Sequence, residues 1–211
     1  MSSFSDFCQG FFTRYFELNP TEAVYYGIEG YDHRLKDFSD ESYREEKTFV
    51  RESLKELRQI SPNEPDGDGA IDYALLEGRL AIDRYQHEKE DYRLKWPDYY
   101  LPTDAIYILT VRPTRDFSAS LLSRLQRSPQ MMQQGIANLS RPEANPPRLW
   151  TEMAIEAAKG GISFLASLPG HPKVQAEVKD TAALDKAIEQ SKHSIKDFAG
   201  FLETDLLPRS R

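Results

Sequence analysis

One short stretch of the chain carries residue types that could bind a metal. Residues 87–91, His-Glu-Lys-Glu-Asp, begin like the helical zinc signature His-Glu-x-x-His, in which two histidines one turn apart share the metal and the glutamate acts as a base. Position 91 holds Asp in place of the second histidine, and nothing nearby supplies further ligands. We therefore favour a solvated helix end over a metal site here.

A second stretch, Tyr31-Asp32-His33-Arg34, combines an acid, an imidazole and a guanidinium beside Gly27 and Gly30. The glycines predict an irregular loop, and loops carry function more often than the elements they connect. The imidazole of His33 could titrate near neutral pH. In the structural alternative, Asp32 caps a turn and Arg34 pairs locally.

The remaining histidines do not assemble a recognisable catalytic motif. His171 lies in a turn between helices and His193 on the last helix, and we expect both at the surface. A Ser-His-Asp triad is defined by geometry and cannot be inferred from four scattered histidines. The acid-rich stretch 37–91 contains interleaved lysines and arginines, which is typical of the solvated face of amphipathic helices. The sequence thus predicts no catalytic residue and no metal ligand.

Composition narrows the class of protein. The 211 residues are 39% hydrophobic and 29% charged, which is typical of a globular chain. No apolar run approaches the roughly 20 residues of a membrane span, so no membrane partner is expected. The single cysteine, Cys8, excludes an internal disulfide framework, and the opening segment 1–7 lacks the basic start of a secretory signal. These features predict a cytoplasmic protein.

The charge is unevenly distributed along the chain. Residues 1–92 carry a net charge of −10 and residues 93–211 a net charge of +3. Such asymmetry can mark an anion-binding surface, although it arises more often when one half packs against the other or against a partner. The net charge of the whole chain is −7, which argues against nucleic-acid binding.

Apolar residues recur at spacings of three and four, which predicts helices almost throughout. We expect an all-α, bundle-like array of about eight or nine helices with a long C-terminal helix, forming a single domain over 1–211 with loops near 61–69 and 142–147. The run 106–111 is β-branched but is predicted as helix, since no second strand is available to pair with it. Ser128-Pro129 predicts the start of a new helix, because serine is a good N-cap and proline is favoured at the first helical position.

Three of these helices have a regular apolar stripe that we expect to be buried. The first stripe is Ile71, Leu75, Gly78, Ile82 and Tyr85, widened by Leu76 and Leu80. The second is Leu149, Met153, Ala157, Gly160, Phe164 and Leu168, in which the small residues form a notch for a close neighbour. The third, on the last helix, is Leu184, Ile188, Ser191, Ile195, Phe198 and Leu202.

Several segments, taken in order, resemble the bacterial domain-of-unknown-function 885 family (DUF885). Residues 12–23, Phe-Thr-Arg-Tyr-Phe-Glu-Leu-Asn-Pro-Thr-Glu-Ala, are similar to the opening of that family and are followed by its glycine and the segment Tyr31–Ser39. Asp72–Glu77 resembles its helix of acids and leucines. Further similar segments are Asn138-Leu139, Pro142, Trp150–Ala154 and the closing run from Phe201 to Arg209.

The resemblance implies a mainly helical protein of more than twice this length, related to zinc metallopeptidases. The family's zinc-binding segment, of the His-Glu-x-x-x-x-His type, lies in its C-terminal half and matches no position here, so no catalytic residue is carried over. The implied role of this half is to wall the substrate cavity and support the catalytic half. Tyr31, Asp32, His33 and Arg34 are our candidates for residues near that cavity.

The closing residues, Leu206-Leu207-Pro208-Arg209, add a further expectation. A proline just beyond a helix normally starts the next connection, so we expect the chain to be the N-terminal portion of a longer architecture. Its partner would be a catalytic half on a separate chain, or a second copy of itself. Two alternatives remain: a stand-alone helical module that binds a protein or a small molecule without enzymatic activity, and a small enzyme with a site around Asp32, His33 and Arg34.

Overall fold

The computed structural model describes residues 3–211. Met1 and Ser2, which belong to the segment tested for a secretory signal, lie outside the described residues. Of the described residues, 76% are helical and none lies in a strand, which confirms the all-α prediction. The α-helices of this described part are α1 (Phe4–Leu18), α2 (Pro20–Tyr25), α3 (Asp40–Leu57), α4 (Asp68–Lys89), α5 (Thr103–Val111), α6 (Phe117–Leu139), α7 (Arg148–Ser167), α8 (Pro172–Glu177) and α9 (Thr181–Phe201).

Backbone contacts group these helices into two compact units. The first unit comprises residues 3–18 and 39–92, and the second comprises residues 19–38 and 93–211. The single domain over 1–211 stays a prediction. The connection before α4 ends two residues earlier than predicted, because the helix begins at Asp68, whereas the loop at 142–147 lies between α6 and α7 as predicted. Within residues 3–211, every helix is too short or too polar to cross a membrane.

The first unit packs α1 and α4 against α3. Phe7 and Phe11 of α1 stack on one another and are buried, as are Leu54 and Leu57 of α3. The hydroxyl of Tyr73, on α4, donates to the carbonyls of Leu57 and Ile60 at a distance of 3.2 Å. The carbonyl of Leu57, at the end of α3, also accepts from the N–H of Ile60 at 3.0 Å, so Tyr73 fills the core and adds a second donor at this helix end.

The second unit is built around α6, α7 and α9. Every residue of the stripe predicted on α9 is buried, which confirms that prediction. Helical winding continues beyond α9 as a π turn and a 3-10 turn that ends at Arg209. The β-branched run 106–111 lies in α5, so the helix prediction for it is also confirmed.

The predicted helix start at Ser128-Pro129 is wrong, because α6 runs without a break from Phe117 to Leu139. Pro129 lacks an N–H and therefore leaves the carbonyl four residues earlier without its intrahelical donor. The helix nevertheless continues, since the side chains on both sides of the proline, Leu125 and Met132, are buried in the same core. The hydroxyl of Ser128 donates to the carbonyl of Arg124 at 2.8 Å and does not cap a new helix.

The buried stripe predicted on α4 is wrong. Ile71, Leu75, Ile82 and Tyr85 are each more than half exposed, and the buried face carries Tyr73 together with Leu80, one of the two residues predicted to widen the stripe. These two sets lie on opposite sides of the helix, so α4 is apolar on two faces. A spacing of three and four identifies an apolar face, but it cannot say which of two such faces turns inward.

The stripe predicted on α7 is wrong over most of its length, although its last residue, Leu168, is buried as predicted. Leu149 and Met153 are exposed, whereas the buried face is formed by Thr151, Ala154, Ile155, Ala158, Gly161 and Leu165. The small residues face inward because a neighbour comes very close. A Cβ built on Gly161 would lie 2.6 Å from Oγ1 of Thr103. The notch is therefore at Gly161 and not at Gly160, around which nothing lies within 4 Å.

Candidate functional site

The predicted site lies in an irregular segment, residues 26–38, which we call the strap. Gly27 and Gly30 within it have φ angles of 75° and 96°, in the left-handed region that favours glycine. The two glycines lie in consecutive turns that follow the end of α2 at Tyr25. The strap then runs along α6, to which it is attached at several points.

The first attachment is made by backbone carbonyls of the candidate residues. The hydroxyl of Ser123, on α6, donates to the carbonyl of His33 at 2.8 Å. At the next residue of α6, Nη2 of Arg124 lies 3.5 Å from the carbonyl of Tyr31. Both bonds involve the backbone of the strap, so they fix the position of this segment without using its side chains.

Asp32 of the strap and Arg124 of α6 are buried groups of opposite charge that interact electrostatically. Asp32 is 8% exposed, and Arg124 is fully buried and also donates from Nη1 to the carbonyl of Ala105 on α5. Burial lowers the pKa of Arg124 to about 10, and the carboxylate of Asp32 opposes this shift. Since a buried charge without a counter-charge is costly, Asp32 is best explained as the partner of Arg124.

The side chains of His33, Tyr31 and Arg34 are arranged differently. His33 is exposed. The guanidinium of Arg34 lies 5.9 Å from the centre of the Tyr31 ring, which is a cation–π contact within the strap. The structure thus brings Tyr31 and Arg34 together, buries Asp32, and leaves His33 in solvent. Asp32 and His33 make no hydrogen bond to each other, and a role of these four residues near a substrate cavity stays a prediction.

The second attachment lies at the end of the strap and is a buried network of hydrogen bonds. The N–H of Phe38 donates to Oε1 of Gln134 at 2.9 Å, and its carbonyl accepts from Asn138 at 2.9 Å and from Arg93 at 3.1 Å. Tyr100 joins the network: its hydroxyl donates to the carbonyl of Arg93 at 2.7 Å and accepts from Asn138 at 3.1 Å. Because the network is buried and hydrogen-bonded, it holds the strap in one conformation.

The other histidines have structural partners. The ring of His87 packs edge-on against Tyr43, with a centroid distance of 5.5 Å, and also contacts Tyr92. Nδ1 of His171 accepts from the N–H of Lys173 and caps α8. His193 is exposed and lies 3.4 Å from Asp197. Across residues 3–211 there is no group of three or more His, Cys, Asp or Glu side chains that could hold a metal ion.

Sequence reasoning missed two features of the second unit. One is Arg124 on α6, which lies three residues after the buried Leu121 and directly before the buried Leu125. A lone arginine in an apolar stripe is a signal that could have pointed to a buried charge. The other is a stack of aromatic rings, in which Trp96 lies 3.9 Å from Trp150 and 5.4 Å from Tyr99 between ring centres. No spacing rule connects residues so far apart in sequence.

Asp98 lies beside this aromatic stack and is perturbed. Burial raises its pKa, and the carboxylate of Asp104 raises it further, while backbone N–H groups of Asp98 and Tyr99 act in the opposite direction. A carboxyl group that holds its proton more tightly than usual is a candidate acid, although structural carboxylates shift in the same way. A shifted pKa alone does not identify a catalytic residue, so we assign Asp98 no catalytic role.

These features define an all-α protein in which a rigid strap is fixed to a long helix by buried polar groups. The family described as bacterial protein of unknown function (DUF885) matches residues 20–211, and the chain belongs to that family. This confirms the resemblance seen in the sequence. No curated protein sequence matches the chain.

Among solved structures, the fold is similar to that of a putative lipoprotein of unknown function from Shewanella oneidensis. The TM-score is 0.79 and the sequence identity is 20%, so the likeness concerns the fold alone. It covers 98% of this chain but only 38% of that one. The fold described above therefore recurs as a portion of a longer protein.

Proposed function

We propose that this chain acts as the non-catalytic N-terminal helical half of a DUF885-type hydrolase. In this role it walls the substrate cavity and supports a C-terminal half that carries the zinc. The observation that carries the proposal is the recurrence of nearly the whole fold within a chain of which it covers 38%. Family membership over residues 20–211 gives independent support.

The outward apolar face of α7 is the surface on which we expect the catalytic half to pack. Leu149 and Met153 are 63% and 60% exposed, and they lie one turn apart. Large exposed apolar side chains that lie together are a common feature of interaction sites. Both residues belong to the second unit, which also holds the strap, so a partner seated on α7 would contact the same unit as the candidate cavity residues.

The experiment begins with the purified chain, on which zinc content and peptide hydrolysis are measured. We expect neither stoichiometric zinc nor hydrolysis. The chain is then mixed with a polypeptide that carries the His-Glu zinc motif and is encoded downstream or in an adjacent gene. The complex is expected to hydrolyse peptides. Stoichiometric zinc together with activity in the chain alone would contradict the proposal.

A substitution on α7 tests the packing surface. Met153→Glu places a charge on the exposed face, so we expect it to weaken association with the zinc-bearing polypeptide by at least about tenfold. Gln190→Glu, an equally exposed site on α9, is the matched control and is expected to leave binding unchanged. If both variants bind the zinc-bearing polypeptide equally well, α7 is not part of the interface.

A cytoplasmic location is part of the same proposal. Its support is the single cysteine, Cys8, which has a free thiol and so gives the chain no internal disulfide. Cell fractionation with an antibody against the chain tests it, and recovery of the chain with the membrane or the periplasm would contradict it.

The second candidate function is a stand-alone binding module without enzymatic activity. The stack of Tyr99, Trp96 and Trp150 favours it, because Tyr99 is 47% exposed and flat ligands bind to such ring faces. A ligand seated there would quench tryptophan fluorescence. Quenching that is lost in Trp150→Leu and occurs without any zinc-bearing partner would favour this candidate over the first.

A further inference from the structure

The outward face of α4 has the pattern of a helix–helix seam. Ile71, Leu75, Gly78, Ile82 and Tyr85 follow one another at spacings of four, three, four and three, which is the repeat of the core positions in a coiled coil. The four large side chains are between 57% and 67% exposed, and nothing lies within 4 Å of a Cβ built on Gly78. The opposite face of α4 is already occupied by the core of the first unit.

We propose that this seam is the docking surface for a second copy of the same chain, with the two α4 helices packed antiparallel about a twofold axis. The proposal is independent of the zinc-bearing half, which we place on α7. It rests on the self-complementarity of the seam in shape and in charge.

Shape fixes the register of the two helices. When Ile71 lies opposite Ile82 of the second copy, Leu75 lies opposite Gly78, and the twofold axis repeats both pairs. A large side chain then meets the one position that lacks a side chain. Ala74 flanks the seam on one side and is small enough to let the helices approach closely. A parallel arrangement would instead set Gly78 against Gly78 and leave a gap.

Charge supports the same register. On the other side of the seam, Asp72 comes beside Arg79 of the second copy, and the symmetry makes this pair twice. Arg79 already binds Asp83 of its own helix at 2.7 Å, but a guanidinium has five donors and can bind a second carboxylate. Sliding the helices by one heptad would set Arg79 against Arg79, which is repulsive. The charges therefore select one antiparallel register.

The interface is expected to be weak. A single pair of helices of this length buries less area than the interfaces of stable dimers, so we expect dissociation constants of about 10–100 μM. Sedimentation velocity of the purified chain over about 1–500 μM measures this directly. A reversible monomer–dimer equilibrium is the expected result. A chain that remains monomeric throughout, or that forms open-ended oligomers, overturns the proposal.

Substitution in the seam tests its location. Leu75→Glu and Ile82→Glu change exposed residues, so the helical circular dichroism is expected to be retained while the dissociation constant rises at least tenfold. Met153→Glu, an exposed apolar site on α7, is the matched control and leaves the dimer intact. A dimer that survives both α4 substitutions, or that is lost in the control, overturns the proposal. Met153→Glu also distinguishes the two interactions, because it is expected to weaken binding of the zinc-bearing polypeptide and to leave the α4 dimer unchanged.

Charge reversal tests the register. Asp72→Arg alone sets Arg against Arg79, and Arg79→Asp alone sets Asp against Asp72, so each single variant is expected to dimerise at least tenfold more weakly. The double variant restores opposite charges at both positions and is expected to dimerise like the parent chain. An equimolar mixture of the two single variants should form heterodimers. Failure of both the double variant and the mixture to recover association rules out this register.

Discussion

The ring of Tyr100 lies directly against Gly135, so that a Cβ built on the glycine would come within 2.6 Å of Cγ of the tyrosine. Tyr100 is completely buried, and its hydroxyl belongs to the network that holds the end of the strap. Real Cβ atoms do not approach neighbours so closely, and the ring cannot retreat without breaking its hydrogen bonds. The absence of a side chain at position 135 therefore allows the strap network to form.

We expect Gly135→Ala to lower the free energy of unfolding by about 1–3 kcal/mol, because the overpacking outweighs the gain in helix propensity. Urea denaturation followed by circular dichroism measures the change. The matched control is Gly160→Ala, in the exposed part of α7 where nothing lies within 4 Å. It is expected to raise the free energy of unfolding by about 0.5–1 kcal/mol. The interpretation fails if both variants change stability in the same direction.

The contrast between α9 and α4 shows how far the sequence alone could lead. On α9 a single apolar stripe faces polar residues on the other side, so spacing determined both the helix and its buried face. On α4 the helix was equally predictable, but it has an apolar face on each side. The choice between them depends on Tyr73, which fits the end of α3 and hydrogen-bonds to Leu57 and Ile60. Such a fit between distant residues leaves no periodic signal.

The candidate site illustrates the same limit. The glycines and the polar run made the strap recognisable as an irregular segment, and four adjacent polar or aromatic residues made it a candidate site. What these side chains do depends on residues about 90 positions away, since Ser123 and Arg124 hold the carbonyls of His33 and Tyr31. Asp32 therefore faces inward to a buried arginine, which no local pattern could reveal.

The buried pair of Asp32 and Arg124 should be coupled in stability. Asp32→Asn removes the counter-charge from a buried guanidinium, and Arg124→Met leaves a buried carboxylate alone, so we expect each to lower the free energy of unfolding by about 2–4 kcal/mol. The double variant removes both charges and is expected to cost at least about 1 kcal/mol less than the sum of the two single changes. The free energy of unfolding is measured by urea denaturation for the parent chain, the two single variants and the double variant, which together form a double-mutant cycle. Simple additivity would mean that the two charges do not act on each other.

The side chains of His33 and Arg34 can be tested separately from the buried hydrogen bonds that hold the strap in place. In the active complex with the zinc-bearing polypeptide, we expect His33→Ala combined with Arg34→Ala to raise KM for peptide substrates at least about tenfold. His33 is exposed, and loss of the cation–π contact between Arg34 and Tyr31 costs no more than about 1 kcal/mol, so the melting temperature should fall by no more than about 4 °C. Lys36→Ala is unsuitable as a control because Lys36 binds Asn19, so we use Glu29→Ala at an exposed site of the strap. If the double variant has the same KM as the parent complex, the strap does not line the substrate cavity.

The pKa of Asp98 leads to a stability change that depends on pH. Burial, aided by Asp104, raises this pKa in the folded state, so the folded chain holds the proton more tightly than the unfolded chain. At neutral pH the carboxylate is ionised in both states, and its ionised form opposes folding. As pH falls through the raised folded pKa toward the ordinary value of 3.8, the folded state takes up the proton first and this opposition is lost.

We therefore expect Asp98→Asn, which has no charge at any pH, to raise the free energy of unfolding at pH 7 by less than about 1 kcal/mol, the modest size reflecting partial exposure to solvent. The advantage over the parent chain should shrink as pH falls and vanish below the ordinary aspartate pKa of 3.8, where both side chains are neutral. Urea denaturation of the two proteins between pH 3 and pH 8 measures the difference. Asp104→Asn, which removes the neighbouring charge, should give a smaller change in the same direction because Asp104 is the lesser cause. A difference that is constant with pH would show that the carboxylate of Asp98 does not oppose folding.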